Sequence, residues 1–274
     1  MRRTPTLALH GILLPLALLW LTPLWMLLTY STAPASAFLS PTAVLLPGSH
    51  FVENLHTLVQ KTPFTSALLN SLRIASVTAV ISGMVSCMAG YALAQFQFFG
   101  SRMLFRMVIA TLTVPYIVVT IPQFVMMSRV FHLANSWTGV VLPTICNSMG
   151  VFFMRQSFLL LPRELFDYAR LEGVSELAIF TRIAIPLALP AMTIVLIITF
   201  LQAWNNYLWP LLILSDPESW TAPVALGSLI GSLDAVMWGA TMVGALLMTL
   251  PMMIVFVFLQ RFIVSGIAAA NSRK

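Results

Sequence analysis

The sequence predicts an all-α, polytopic membrane protein with six transmembrane helices. Of its 274 residues, 59% are hydrophobic and only 8% are charged, whereas soluble domains carry about 25% charged residues. The apolar residues also fall in long charge-free stretches, and a helix crosses a bilayer with about 20 of them. A soluble fold of this size has too little interior for so much apolar surface. Most of the chain is therefore expected to lie in the lipid bilayer.

The predicted spans follow the charge-free stretches, trimmed at turn-forming residues. They lie near residues 8–30, 66–94, 105–128, 138–160, 186–213 and 238–262. The first span resembles a secretory signal, because basic residues precede it and Ala-Ser-Ala follows at 35–37. Its apolar stretch is 24 residues long, from Leu7 to Tyr30, whereas a signal core has about 7–15 residues. We therefore expect an uncleaved first span.

No internal repeat, linker or low-complexity tract divides the sequence, so one membrane domain over residues 1–274 is predicted. The segment near 31–65 contains Pro34, Pro41, Pro47 and Pro63 and is expected to form a loop. Apolar residues at helical spacing near its end, including Phe51, Leu55 and Leu58, indicate a short amphipathic piece. Pro115, Pro122 and Pro210 are expected to kink the third and fifth spans.

The distribution of Lys and Arg predicts that both termini are cytoplasmic. With that orientation the inner segments hold ten basic residues and the outer segments three, as the positive-inside rule requires. The inner residues are Arg2, Arg3, Arg102, Arg106, Arg163, Arg170, Arg182, Arg261, Arg273 and Lys274, and the outer ones are Lys61, Arg73 and Arg129. Arg155, near the inner end of span four, is expected to extend its charged end to the interface. The basic residues form no stripe, so the net charge of +6 does not indicate nucleic-acid binding.

Half of the eight acidic residues lie in one segment, residues 162–185, which we call the charged loop. The orientation places it in the cytoplasm between spans four and five. Pro162 can start a helix, because a first-turn residue needs no N–H. Gly173 can adopt the left-handed conformation that ends a helix, and Ser175 can cap the next one. The charged loop is therefore predicted to form a helix, a glycine corner and a second helix.

The first of these helices has an apolar side, and we expect the chain to have little protein of its own to cover it. That side comprises Leu165, Phe166, Tyr168, Ala169 and Leu171. It could lie on lipid headgroups or bind a soluble partner. The four acidic residues Glu164, Asp167, Glu172 and Glu176 argue against the anionic inner leaflet. A docking surface with apolar residues among charges fits a protein partner better.

The segment PRELFDYARLEGVSELAIFTRIAIPLALPA resembles the "EAA" loop of permease subunits in binding-protein-dependent ABC importers. It is most similar to the carbohydrate and polyol importers of the maltose and glycerol-3-phosphate type. Further resemblances lie in ALLNSLRIAS at 67–76, AWNNYLWPLLI at 203–213 and LQRFIVSGI at 259–267. At the Glu-Ala-Ala triplet this chain has Asp167-Tyr168-Ala169, which departs from the family pattern.

The resemblance implies that the charged loop is a coupling helix seated on a cytoplasmic ATPase. The coupling residues it implies are Glu164, Asp167, Tyr168, Ala169, Arg170, Glu172 and Gly173. It also implies several partners: a second six-span permease, an ATPase dimer and an extracytoplasmic solute-binding protein. The location it implies is the bacterial inner membrane. ATP binding by the partner would then switch the spans from inward-facing to outward-facing.

The residues of the chain are consistent with an ATP site on another subunit. Neither of the two lysines, Lys61 and Lys274, follows a glycine, so no phosphate-binding loop with the Walker pattern exists. The histidines lack metal-binding spacing, and Cys87 and Cys146 lie in apolar runs typical of small buried thiols. We therefore expect a transport subunit that is not itself an enzyme and holds no cofactor, with ATP and Mg²⁺ on the partner ATPase.

The most polar patch of the predicted fifth span is expected to line the solute path. It comprises Gln202, Trp204, Asn205, Asn206 and Tyr207. Amides bond to hydroxyl groups and aromatic rings stack on sugar faces, which favours a sugar, amino sugar, polyol or glycerol-phosphate-type solute. The alternative role for Asn205 and Asn206 is hydrogen bonding between helices.

Two other function classes fit the sequence less well. An ion-coupled secondary transporter or channel would need its own ion site, and the spans contain no acidic residue for a proton or cation relay. A membrane-embedded enzyme would need clustered His, Asp or Glu at the membrane edge. The charged loop is the only such cluster, and it contains no histidine.

Overall fold

The computed structural model describes residues 4–230 and 237–271, and the side chains of 9–230 and 237–257. Within these ranges the chain is mostly helical and contains no strand, so the predicted all-α membrane fold is confirmed. Arg2, Arg3, Arg273 and Lys274, which contributed to the predicted orientation, lie outside the described residues. The orientation itself stays a prediction.

Thirteen α-helices lie in the described residues: α1 (Thr4–Ser31), α2 (Phe51–Lys61), α3 (Phe64–Gln95), α4 (Ser101–Thr113), α5 (Tyr116–Val125), α6 (Trp137–Val141), α7 (Ser148–Leu159), α8 (Arg163–Leu171), α9 (Glu176–Ile179), α10 (Ile185–Trp204), α11 (Leu208–Ile213), α12 (Ala222–Ile230) and α13 (Trp238–Asn271). Short π-helical segments continue α5 over Met126–Val130 and join α9 to α10 over Phe180–Ala184. Three 3₁₀ turns lie at Ala35–Leu39, Leu142–Thr144 and Pro217–Ser219.

Four of the described helices or helical runs are long and apolar enough to cross a membrane, and they cover Leu9–Ser31, Phe64–Gln95, Glu176–Trp204 and Trp238–Val257. Two bent pairs, Ser101–Thr113 with Tyr116–Val130 and Trp137–Thr144 with Ser148–Leu159, bring the number to six if each pair is one span. Five of the six candidate spans lie within a few residues of the predicted ranges, and the fifth covers Glu176–Trp204 where 186–213 was predicted. The third, fourth and fifth predicted spans are not continuous helices in the structure.

The third and fourth spans are broken where the sequence limits helix continuation. The third bends by 103° at Val114–Pro115. Val114 is extended, with φ −82° and ψ 121°, because a residue before proline avoids the helical region. The fourth bends by 42° just before Asn147, whose side chain caps α7 by accepting the N–H groups of Met149 and Gly150.

The prediction that residues 186–213 form one continuous helix is wrong. Helix α10 ends at Trp204, and a separate helix, α11, begins at Leu208. Pro210 is the third residue of α11. A proline is tolerated in the first turn of a helix because the N–H that it lacks would be unpaired there. Pro210 therefore lies near the start of a new helix and does not kink a continuous one.

The chain forms two compact units. One is built from Met1–Thr65 and Val224–Met253, and the other from Ser66–Pro223 and Ile254–Lys274. In the first unit the predicted amphipathic piece is helix α2, whose Leu58 is fully buried. The Asn54 amide donates to the carbonyl oxygens of Ser31 and Ala33, both at 3.0 Å, and so pairs carbonyls at the end of α1. The single domain predicted over 1–274 stays a prediction.

In the second unit, helices α3 and α7 approach each other closely. A Cβ added to Gly90 would lie 2.6 Å from the Cβ of Met154, and one added to Gly150 would lie 2.5 Å from the Oγ of Ser86. Only glycine leaves room for this backbone approach. Two buried clusters fill this unit. One surrounds Tyr91 and Phe158 beside α8, and the other surrounds Trp209 beside α6.

Candidate functional site

The charged loop has the local structure that the sequence predicted. Helix α8 ends at a corner where Gly173 has φ +76°, a value that glycine adopts without a steric penalty. The Ser175 hydroxyl accepts the N–H of Ala178 at 3.4 Å and caps α9. Pro162 differs slightly from the prediction, because it lies just before the first helical residue.

Helix α8 is fixed to its own chain by Phe166. This side chain is fully buried, and its ring centroid lies 6.3 Å from that of Tyr91 on α3. Tyr91 also contacts Phe158 of α7 at 5.4 Å and Phe180 at 5.0 Å. We call Tyr91, Phe158, Phe166 and Phe180 the aromatic cluster.

The expectation that the chain has little protein of its own to cover the apolar side of α8 is wrong for Phe166, while Leu165, Tyr168 and Leu171 are exposed as expected. The ends of α3 and α7 extend to the level of the loop and bury Phe166, and Ala169 packs against the same core. The apolar residues of α8 therefore divide into buried Phe166, partly buried Ala169 and an exposed group.

A hydrogen-bonded group of four polar side chains lies at the glycine corner, and Arg170 and Glu176 connect the two helices across it. The Arg170 Nε donates to Glu176 Oε1 at 2.6 Å, and its Nη1 donates to Asp167 Oδ1 at 3.2 Å. The Tyr91 hydroxyl donates to the other oxygen of Glu176 at 3.2 Å. The hydrogen bond that Arg170 donates to Glu176 raises the pKa of Arg170 above its ordinary value. Asp167 and Glu176 thus contribute to the structure of the loop itself.

The outer face of the charged loop combines exposed apolar and acidic side chains. Tyr168, Leu171 and Leu177 are 68%, 82% and 72% exposed, and Leu165 is also exposed. Glu164 and Glu172 lie on the same exposed loop. An exposed apolar group bordered by charges is typical of a protein-binding surface. We call Leu165, Tyr168, Leu171 and Leu177 the exposed apolar face.

A second candidate site is a cleft of about 600 Å³ in the second unit. We call it the polar cleft. Its polar lining residues are Thr78, Tyr116, Gln123, Thr144, Asn147, Ser148, Thr199, Gln202 and Asn206, and Cys146 also lines it. No charged side chain is among its lining residues in the described part of the chain. Hydroxyl and amide groups of this kind suit an uncharged, hydroxyl-rich ligand.

The breaks in the spans bring these polar groups together. Asn147, at the bend of the fourth span, donates to the Thr199 hydroxyl on α10 at 3.1 Å. Asn206, in the break after α10, accepts the N–H of Trp209 at 3.2 Å and lies beside the Tyr116 hydroxyl. Broken helices are where membrane proteins place polar groups around a cavity.

The structure places two of the five predicted path residues, Gln202 and Asn206, in the lining of the polar cleft. Trp204 is buried and stacks on Phe200 with a centroid distance of 5.9 Å. Asn205 donates to the carbonyl of Leu201 in its own helix at 2.9 Å. Tyr207 is exposed and outside the cleft lining.

Sequence reasoning missed most of the lining, including Tyr116, Gln123, Asn147 and Thr199. For two of them the available signal was a position beside a helix break, since Tyr116 follows Pro115 and Asn147 lies between a proline and a helix start.

Comparison with known proteins identifies the family. The model of the family described as "Binding-protein-dependent transport system inner membrane component" matches residues 83–269. The arabinooligosaccharides transport system permease protein AraQ of Bacillus subtilis is 35% identical over 284 residues, covering 99% of each chain. The sn-glycerol-3-phosphate transport system permease protein UgpE of Pectobacterium atrosepticum is 34% identical over 265 residues, covering 94% of each.

A solved structure has the same fold. It is the crystal structure of a bacterial ABC transporter involved in the import of the acidic polysaccharide alginate, with a TM-score of 0.80, 22% identity and coverage of 95% of this chain and 98% of that one. The resemblance seen in the sequence is therefore confirmed, and this chain belongs to the family of inner-membrane components of binding-protein-dependent transport systems.

Proposed function

We propose that this chain is a permease subunit of an ATP-driven importer in the bacterial inner membrane and forms the translocation path together with a second permease. The partners proposed are an ATPase dimer, which binds ATP and Mg²⁺ and docks on the charged loop, and an extracytoplasmic solute-binding protein. The observation that carries the proposal is the division of α8 into a buried side and the exposed apolar face. A helix fixed on one side and uncovered on the other can pass a displacement from a partner to the spans.

The proposed coupling residues act in two ways. Arg170 joins α8 to α9 through Glu176, Ala169 packs against the core, and Gly173 sets the corner. Asp167 pairs with Arg170 within α8. Tyr168, Glu164 and Glu172 are exposed and available to the ATPase. Tyr168 of the Asp-Tyr-Ala variant provides a larger apolar contact than an alanine would.

We propose an uncharged sugar or polyol as the solute that enters the polar cleft. The arabinooligosaccharide and sn-glycerol-3-phosphate systems named for the relatives support a hydroxyl-rich solute. The cleft favours the uncharged members, because a phosphate would need a cationic partner and none lines the cleft among the described residues.

An ion-coupled transporter remains the alternative function. An ion-coupled transporter would require a carboxylate or other ion ligand in the path. The polar cleft does not support this function, because the described lining of the cleft contains no acidic residue.

A double substitution tests the docking role. Tyr168→Glu with Leu171→Glu adds charge to the exposed apolar face without changing a buried residue. We expect the second permease to co-purify as before, whereas the ATPase no longer does and ATP-dependent solute uptake in proteoliposomes is lost. The matched control is Leu39→Glu, since Leu39 is 87% exposed on a different loop.

Two results would contradict the proposal. The first is normal ATPase co-purification and uptake in the double variant. The second is solute uptake by the wild-type chain in proteoliposomes that contain an ion gradient and no ATPase, which would favour the alternative function.

A further inference from the structure

Three arginines line a small pocket at adjoining ends of α3, α4 and α7. The pocket has a volume of about 210 Å³ and is lined by Leu93, Ser101, Arg102, Phe105, Arg106 and Arg155. We call it the arginine pocket. It takes no part in the charged loop or the polar cleft described above, since its lining residues belong to neither.

The arginine pocket has no acidic residue to balance its charge. The sequence contains no Asp or Glu between Glu53 and Glu164. Within residues 9–230 and 237–257 the ion pairs are those of Arg170, so none of the three guanidinium groups has a carboxylate partner there. A concentration of like charge in a partly enclosed site is stabilised by a bound anion.

Arg155 is held in a defined position in this pocket. Its Nε donates to the Leu93 carbonyl at 3.2 Å, and its guanidinium carbon lies 3.8 Å from the centroid of the Phe105 ring. The close approach of α3 and α7 at Gly90 allows this hydrogen bond. A guanidinium has five N–H donors, so the remaining four are available to a ligand with several acceptor oxygens. Arg102 and Arg106 are exposed one helical turn apart on α4.

The surroundings of the arginine pocket indicate that its ligand is a lipid. The pocket lies where one apolar helix ends and the next begins, which is the level of lipid headgroups. Exposed apolar side chains flank it, namely Phe98, Phe99, Met103, Leu104 and Met107. Exposed apolar side chains of this kind suit contact with acyl chains, and basic pockets between membrane helices bind anionic headgroups.

We propose that the arginine pocket binds the phosphate of an anionic phospholipid, with Arg102, Arg106 and Arg155 donating to the phosphate oxygens and the acyl chains lying along α4. The proposal goes beyond transport itself. The bound lipid would join α3, α4 and α7, and the first and third of these also hold the aromatic cluster through Tyr91 and Phe158.

Lipid titration monitored by native mass spectrometry tests the proposal. The full-length chain, purified with the subunits that accompany it, is delipidated in detergent and titrated with phosphatidylglycerol, phosphatidylethanolamine or inorganic phosphate. We expect one tightly bound phosphatidylglycerol in the wild type. In the Arg102→Gln/Arg106→Gln variant we expect its affinity to fall by at least about tenfold, because two charge-assisted hydrogen-bonding groups are lost. The control is Arg129→Gln/Arg182→Gln, which removes the same charge from two exposed arginines outside the pocket.

A second variant covers the case in which the double variant does not fold. Ser101→Glu places a carboxylate among the arginines at the first residue of α4, where a negative charge stabilises the helix. It should compete with the lipid phosphate and also abolish tight binding. Unchanged phosphatidylglycerol affinity in both pocket variants, or equal loss in the control, would overturn the proposal. Equal wild-type affinity for phosphatidylethanolamine, or saturation of the site by inorganic phosphate with no preference for phosphatidylglycerol, would overturn the assignment to an anionic lipid.

Discussion

Replacing Phe166 with alanine should release α8 from the rest of the chain without unfolding the membrane helices. Phe166 is the one fully buried side chain of α8 in the described structure, and its ring joins the helix to Tyr91 of α3. Ala169 packs only partly against the same core, and the side-chain hydrogen bonds of α8 lie closer to its surface. The substitution therefore removes the main apolar contact between α8 and the rest of the chain.

The expected size of the effect follows from the packing. Truncating a buried phenylalanine to alanine costs about 3–5 kcal/mol. The Arg170–Glu176 pair has side chains that are 32% and 42% exposed, and partly exposed pairs of this kind contribute about 1 kcal/mol or less. A helix of nine residues is not stable alone in water. The polar contacts therefore do not compensate for the lost ring, and the detached state should become at least about a hundredfold more populated.

Hydrogen–deuterium exchange measures this population directly. In Phe166→Ala the amides of residues 166–172 should exchange about a hundredfold faster or more, since exchange follows local opening, while those of α3 and α7 stay close to wild type. Tyr168→Ala is the matched control, because Tyr168 is 68% exposed and its loss should leave exchange unchanged. Equal exchange rates in wild type and Phe166→Ala would refute the inference that this ring fixes α8.

Three further predictions concern the corner, the break and the cleft. Gly173→Val should abolish solute uptake in an assembled complex, because the left-handed conformation costs a β-branched residue about 1–2 kcal/mol or more, whereas Gly173→Asn should retain part of it; full uptake by the valine variant would contradict this. Changing Asn205 and Asn206 together to Leu should alter uptake kinetics without preventing assembly, and Asn206→Leu alone should account for most of the change, since only Asn206 lines the polar cleft; identical kinetics in Asn206→Leu and wild type would assign Asn206 to packing. A membrane-permeant thiol reagent should modify exposed Cys146 and spare buried Cys87, and the transported solute should slow the modification; labelling that the solute does not affect would argue against the cleft as its path.

The local features of the charged loop could be predicted because short-range backbone rules decide them. A glycine between two helical stretches and a serine before an acidic first turn each specify a local conformation, and Gly173 and Ser175 adopt those conformations. The six candidate spans were predictable for a similar reason, since hydropathy requires only composition and length.

The burial of Phe166 and the lining of the polar cleft could not be predicted in the same way. The apolar side of a short helix does not reveal whether its own chain or a partner covers it, and that depends here on how far α3 and α7 extend. The lining of the cleft depends on contacts between residues that are far apart in the sequence, such as Asn147 and Thr199. The break at 205–207 was missed because Pro210 was interpreted as a kink, although a proline near a helix start carries no penalty.

The uninterrupted helical run from Glu176 to Trp204 has a mechanical consequence. Its 29 residues correspond to a rod about 43 Å long, which begins at the partner of Arg170 and ends beside Asn206. If the rod tilts by about 5° around one end, the other end moves by about 4 Å. Thr199 lies about 35 Å from the start of the run and would move by about 3 Å, which is comparable to the length of its 3.1 Å hydrogen bond with Asn147. A small rotation at the loop would therefore be enough to break this bond and change the width of the cleft.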